Sequence, residues 1–181
     1  MTAPTGWPVD QALRTARLML EPLRVEHADE LAPVLDEPAL HTYIGGQPAT
    51  AAELRERYAR QVVGRSSDGS QLWFNWVLRE EDTGQALGYL QASVLTEHNA
   101  PVAEVAWVLG VPSQGRGFAS EAALEVVRWL LERGSTVIIA HIHPEHRASI
   151  GVAKAIGMSP TATVVDGEVR WESAGETGGR Q

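Results

Sequence analysis

From Pro112 to Gly134 the chain reads PSQGRGFASEAALEVVRWLLERG, three small residues (Gly115, Gly117, Ala119) followed by a long periodic run. Between Ala119 and Arg133 the apolar positions 119, 122, 123, 126, 127 and 130 form one stripe with a repeat of about 3.6 residues. Glu121, Glu125, Arg128 and Glu132 lie largely off that stripe, and Gly134 is placed to end the helix in a left-handed conformation. An amphipathic helix of this length needs a surface to bury its stripe against. The glycines make its entrance a loop whose backbone a ligand can approach. The first N–H groups of a helix have no intrahelical partner and sit at the positive end of its dipole, so such an entrance can cradle a phosphate. A plain strand-to-helix turn would use glycine too, and the spacing alone leaves both readings open. Two nucleotide-binding patterns do not fit: a P-loop ends in Gly-Lys-Ser/Thr, and in a dinucleotide fingerprint the third small residue would fall at Ser120.

The rest of the sequence predicts what surrounds this helix. Residues 17–24 alternate as a strand with Pro22 hinting at an edge, 27–35 form a short helix interrupted by Pro33, and Thr50 with Glu53 makes a capping box opening a helix to about Val63. Three β-rich runs at 72–80, 86–95 and 102–110 are joined by short turns, which predicts an antiparallel meander. After the long helix come a buried strand at 136–142, a short helix at 146–157 and a closing hairpin about Asp166-Gly167. The expected fold is α+β, with a mixed, mostly antiparallel central sheet of about seven strands flanked by about four helices. A single domain over 15–175 is expected, with residues 1–14 and 176–181 loosely ordered.

Composition narrows the function. With 181 residues and a net charge of −8, the chain lacks the basic surface a non-specific nucleic-acid binder needs. It has no cysteine, which excludes a thiol nucleophile, a disulfide framework and a cysteine metal site. No His-x-x-x-His spacing or carboxylate cluster predicts a metal. No apolar run is long enough to span a bilayer, and the start of the chain has no basic region leading into an apolar core, so the expectation is a cytoplasmic protein free of membrane.

The segment Gln114-Gly115-Arg116-Gly117-Phe118-Ala119 matches Gln/Arg-x-x-Gly-x-Gly/Ala, the signature of the Gcn5-related N-acetyltransferase (GNAT) superfamily, which the chain resembles over roughly residues 15–173. The following SEAA and the later HPEHRAS resemble its ribosomal-protein N-terminal acetyltransferase-like branch. The resemblance implies a GNAT-like fold and an acetyl-CoA-dependent N-acetyltransferase that moves an acetyl group to a primary amine by direct attack in a ternary complex. The acceptor would be a small-molecule amine or a protein N-terminus. Backbone amides of Gly115 to Ser120 would hold the CoA pyrophosphate. The preceding strand would bear a bulge and splay from its neighbour, assigning Trp107, Val108 and Leu109 to the pantetheine gap, with the amide near Leu109 polarising the thioester carbonyl. His146 stands where the family often has Asn in contact with CoA. Ala153 stands where many relatives have a tyrosine acid, and Ser149 on the same helix is the natural replacement. A non-catalytic CoA-binding sensor is the alternative that Ala153 keeps open.

Amine acylation also needs a base. Glu104, an isolated acid in the run VAEVAWVL, is the first candidate, its apolar neighbours predicting partial desolvation. Glu168, His141 and His143 are further candidates. Asn75 and Gln91, polar residues within apolar strands, are candidates for an acceptor groove walled by Trp73, Trp76 and Trp107. Arg116, Arg147 and Lys154 are candidate partners for the CoA 3′-phosphate, and Trp171 on the last strand for a homodimer contact.

Overall fold

The structure is a computed structural model describing residues 2–173. Eight strands form one sheet in the order β1-β2-β3-β4-β5-β6-β8-β7. These are β1 (Leu13–Arg14), β2 (Leu18–Pro22), β3 (Leu72–Glu80), β4 (Ala86–Glu97), β5 (Ala100–Leu109), β6 (Val137–Ile142), β7 (Met158–Val165) and β8 (Glu168–Ser173). Five α-helices accompany them: α1 (His27–Val34), α2 (His41–Ile44), α3 (Ala51–Gln61), α4 (Phe118–Glu132) and α5 (Arg147–Ala155). The α+β expectation holds, with eight strands where about seven were expected and five helices where about four were. The extra strand is the two-residue β1 and the extra helix the single-turn α2, both too short to leave a period in the sequence.

Local chemistry sets the joints. Thr50 and Glu53 form the reciprocal capping box that starts α3. His98 and Asn99, both at positive φ (49° and 65°), make the two-residue turn between β4 and β5. Asp166 and Gly167 (φ 50° and 85°) do the same between β7 and β8.

Helices α4 and α5 cover one face of the sheet. There Leu18, Phe74, Leu90, Val126, Leu130 and Ile138 form the main core. On the opposite face α1 and α3 cover a smaller core of Ala28, Leu31, Leu54, Tyr58, Val77 and Ala86. The predicted stripe of α4 is the buried one, joined by Phe118 and Trp129.

Two expectations are corrected by packing. The segment before β1 is not loose: Trp7 lies edge-on to Trp129 with ring centroids 5.8 Å apart, and Gln11 accepts hydrogen bonds from Trp76 Nε1 (2.8 Å), Trp129 Nε1 (3.2 Å) and Arg133 (2.6 Å). The carboxyl-terminal stretch 176–181 lies outside the described residues. Trp171 is buried in the main core opposite Ala140, so it offers no surface for a dimer contact. Among the described residues no helix is long and apolar enough to cross a membrane.

Candidate active site

The one parallel pairing among the described residues, β5 with β6, creates the candidate site. It joins only Val102, Ala103 and Glu104 to Val137, Ile138 and Ile139. Beyond Glu104, β5 continues against β4 alone as far as Leu109. The splay implied by the resemblance is therefore present. The bulge is not, because the β4–β5 register runs without a shift from Glu97↔Ala100 to Gly88↔Leu109. The Gly110 N–H donates to Leu87 O. By the alternation of an antiparallel ladder, the N–H groups of Trp107 and Leu109 then point away from β4 and into the gap.

At the mouth of that gap lies a cavity of about 710 Å³, within the range of roughly 300–1,000 Å³ usual for ligand sites. Its walls bring together the predicted Trp107, Val108 and Leu109 of β5 with Gly115, Gly117 and Ser120 at the entrance of α4. Gln114, Phe118 and Ala119 also line it. Gly117 caps α4 at φ 80° and Gly115 sits at φ 75°, a region that side chains rarely adopt, and a Cβ at Gly115 would point into open space. Among the described residues the amides from Gly115 to Ser120 have no hydrogen-bond acceptor, so a row of donors faces the cavity at the positive end of a fifteen-residue helix. The side chain of Gln114 turns back to donate to Leu109 O at 3.0 Å, tying this loop to the strand end.

Glu121 places a carboxylate in the first turn of α4, next to those donors, and the fold neutralises it. Arg17 donates to it from Nε (2.7 Å) and from its backbone N–H (2.9 Å), and the Thr15 hydroxyl donates at 2.6 Å. Burial acts to raise its pKa, but these donors hold it below the usual carboxylate value. Arg116 is corrected as a phosphate partner: its guanidinium pairs with Glu80 at 2.8 Å and lies over the Phe118 ring, so only its backbone amide belongs to the loop. Arg147 lines the cavity, whereas Lys154 is exposed on α5 and does not.

The far wall comes from α5 and α2. His146 precedes α5, and Ser149 lies one turn in, 9 % exposed, with its Oγ 3.5 Å from His146 Nε2. Burial, and then the charge of nearby His143, lowers the His146 pKa, favouring a neutral ring. Tyr43 of α2 stacks on His146 with centroids 4.6 Å apart and an interplanar angle of 16°. The sequence reading missed Tyr43; the only signal was an aromatic just before the Gly45-Gly46 pair. Ala153 is fully buried in the main core, facing away from the cavity that Ser149 lines.

At the closed end of the gap, on the sheet face opposite α4, Glu104 Oε1 lies 2.8 Å from His141 Nδ1. The Glu104 side chain is 54 % exposed, so the desolvation expected from its apolar neighbours is absent. Glu168 begins β8 beyond the hairpin turn and pairs with Val165, away from this gap. His143 accepts from the Glu145 N–H and sits beside Tyr43.

On the same face as Glu104, Asn75 and Gln91 are cross-strand partners, and Gln91 in turn pairs with Ala106. They line a second cavity of about 160 Å³ under α3. Trp76 lines it as well, although most of its side chain lies in the core. Its ring is 2 % exposed and stacks with Phe74 in the core, because it alternates to the other face from Asn75.

A family profile described as an acetyltransferase (GNAT) domain matches residues 17–159. The chain is 26 % identical over 163 residues to an uncharacterized N-acetyltransferase, p20, from Bacillus licheniformis, covering 87 % of this chain and 88 % of that one. Among solved structures, RimL, a ribosomal L7/L12 alpha-N-protein acetyltransferase in complex with coenzyme A, superposes with a TM-score of 0.72 at 16 % identity, over 90 % of this chain and 96 % of that one. The microcin C7 self-immunity acetyltransferase MccE, in complex with acetyl-CoA and AMP, gives 0.71 at 11 % identity over 88 % and 93 %.

Proposed function

Because this chain belongs to the acetyltransferase (GNAT) domain family and is an acyltransferase, we propose that it is an acetyl-CoA-dependent N-acetyltransferase acting on a primary amine by direct attack in a ternary complex. The observation that carries this reading is the meeting, in one cavity, of the free amides of α4, the open edge of β5 and Ser149 of α5. The likeness to RimL bears on the fold and leaves the acceptor to be argued from this chain's own residues.

Acetyl-CoA, when bound, supplies the activated acetyl thioester. The amides from Gly115 to Ser120 hold its pyrophosphate, with Arg147 at the rim as a cation for its phosphates. The N–H groups of Trp107 and Leu109 are preset donors at the strand edge, aimed where charge develops on the carbonyl oxygen. The Glu104–His141 pair stands at the closed end of the gap. With Glu104 accepting the Nδ1 proton, His141 Nε2 keeps a lone pair and takes the amine proton directly or through water. Ser149 is the hydroxyl on the leaving-group side. A neutral His146 with its proton on Nε2 donates to the Ser149 Oγ, which leaves the hydroxyl proton free for the departing thiolate.

The test is thermal shift with acetyl-CoA, CoA and NAD, followed by thiol release against an amine panel. A ligand that binds only the folded state raises Tm by mass action. The expected result is a shift with acetyl-CoA, none with NAD, and thiol release with at least one amine. No shift with acetyl-CoA would sink the cofactor assignment, and a shift without thiol release would leave a CoA-binding sensor.

The neutralised Glu121 gives a further prediction. Arg17→Gln removes its guanidinium partner and leaves a half-buried carboxylate beside the phosphate donors. The KM for acetyl-CoA is expected to rise on the order of tenfold, equivalent to about 1.4 kcal/mol of repulsion. A second change, Glu121→Gln, is expected to restore it. If the double variant stays as weak as the single one, charge is not the cause.

A further inference from the structure

The smaller cavity has a chemistry that acyl transfer alone does not explain. Arg57, Tyr58 and Gln61 reach it from α3, Asn75 from β3, and Tyr89 and Gln91 from β4. Tyr58 is 4 % exposed, yet its hydroxyl has no hydrogen-bond partner among the described residues. A buried polar group left unpaired costs about 1–3 kcal/mol, so this hydroxyl is set up for a partner that arrives from outside. On the same helix Arg55 is paired with Asp29 and Glu53 is held by Thr50, whereas Arg57 has no ion-pair partner among the described residues. No carboxylate lines the cavity. Burial raises the Tyr58 hydroxyl to about 12 and raises Tyr89 as well, each against the opposing charge of Arg57, so both remain proton donors.

A guanidinium, two phenolic O–H groups and three amide side chains around about 160 Å³ make a receptor for one small anionic group. The cavity is well below the size that holds a whole drug-like ligand and does not admit a stretch of polypeptide. Its place ties it to the reaction. Tyr89 is the cross-strand partner of Val108, which lines the larger cavity, and Gln91 is the partner of Ala106, two residues from Glu104. Such partners lie about 4.5–5.5 Å apart, so a short spacer joins an anchored anion to an amine at the gap.

We propose that this cavity recognises the carboxylate of the acceptor, and that the acceptors are small amino-carboxylates, amino acids or close relatives. The inference rests on the acyl-transfer reading and names its substrate class. It favours a small molecule over a protein N-terminus, whose neighbouring carbonyl is an uncharged amide.

The experiment compares free amino acids with their carboxamides and with the corresponding amines lacking the carboxylate. Thermal shift on the CoA-saturated protein is read first, and thiol release with acetyl-CoA second. The expected result is that amino acids raise Tm while their carboxamides do not, and that kcat/KM is at least tenfold higher for the acids. Arg57→Gln should abolish that preference through KM, leaving the KM for acetyl-CoA unchanged. Tyr58→Phe should weaken the acids several-fold without lowering Tm, since the hydroxyl it removes has no partner in the fold. Carboxamides or plain amines used as well as the acids, phosphonate analogues used better, or a preference that survives Arg57→Gln would each overturn the proposal. Absence of thiol release with every amine would count against acyl transfer, while the thermal shifts still decide whether the cavity takes a carboxylate.

Discussion

Gly88→Ala is expected to destabilise the protein by about 3 kcal/mol and to abolish the thermal shift given by acetyl-CoA. Gly88 lies in β4 at φ 154°, and a Cβ there would meet Val108 O at 2.1 Å, Leu109 Cα at 2.8 Å and Val108 C at 3.0 Å. All three are backbone atoms of the strand that lines the larger cavity, so no side chain can turn aside to make room. Relief requires β5 to move away from β4 at the position where the proposed mechanism aims the Leu109 amide at the thioester. Stability and cofactor affinity should therefore fall together. At roughly 2–4 °C per kcal/mol for a chain of this size, the fall in Tm is about 6–12 °C. Gly69→Ala is the control. That glycine is also at positive φ (71°) but has nothing within 4 Å of a Cβ, so it should lose only the conformational part, about 1 kcal/mol, with cofactor binding intact. Equal losses at the two positions would show that close approach to β5 is not what Gly88 is for.

His141→Ala is expected to lower kcat by about 10²- to 10³-fold while leaving acetyl-CoA affinity within twofold, because general-base contributions reach this size and the histidine does not line the larger cavity, the proposed cofactor site. Glu104→Gln should cost less, since the amide oxygen can still accept the Nδ1 proton at the 2.8 Å contact. Ser149→Ala should also lower kcat with affinity kept. A larger loss for Glu104→Gln than for His141→Ala would put the base on the carboxylate. Normal turnover in both would remove the pair from the mechanism. A pH–rate profile separates these outcomes from a structural role, since an orienting contact that does no proton chemistry would leave its acidic limb in place.

The sequence announced the part of the site that is made of backbone. Gly115, Gly117 and the stripe of α4 are local signals, because left-handed φ demands glycine and a buried helix face demands a period. The parts contributed by distant elements were harder to read. Trp76 and Asn75 are neighbours in the chain and both were assigned to the acceptor groove, but strand alternation sends Trp76 into the core. Arg116 sits within the signature, yet its guanidinium answers to Glu80, thirty-six residues earlier in the chain. Tyr43 and Tyr58 belong to no motif, and the Gly45-Gly46 pair after Tyr43 is the one local cue. What makes them functional candidates is what they are placed against, and that is set by how α2 and α3 dock rather than by any motif. The case for Glu104 shifts its ground: the proposal rests on its contact with His141 at the end of the β5–β6 ladder, not on burial.

The contacts at both ends of α4 have a consequence for how the protein is made. Gln11 holds Trp129 and Arg133 near the helix's last turn, and Thr15 and Arg17 hold Glu121 in its first. These partners are separated by 104 to 122 residues along the chain, and links of that span form late because the loop between them must be closed first. During synthesis the amino-terminal segment leaves the ribosome early and must wait for α4 before it has anything to clasp. The meander of β3, β4 and β5 can assemble in the meantime from its own hairpins. The row of amides at the entrance of α4 is thus among the last features to appear, and its appearance reports that the first and middle parts of the chain have found each other.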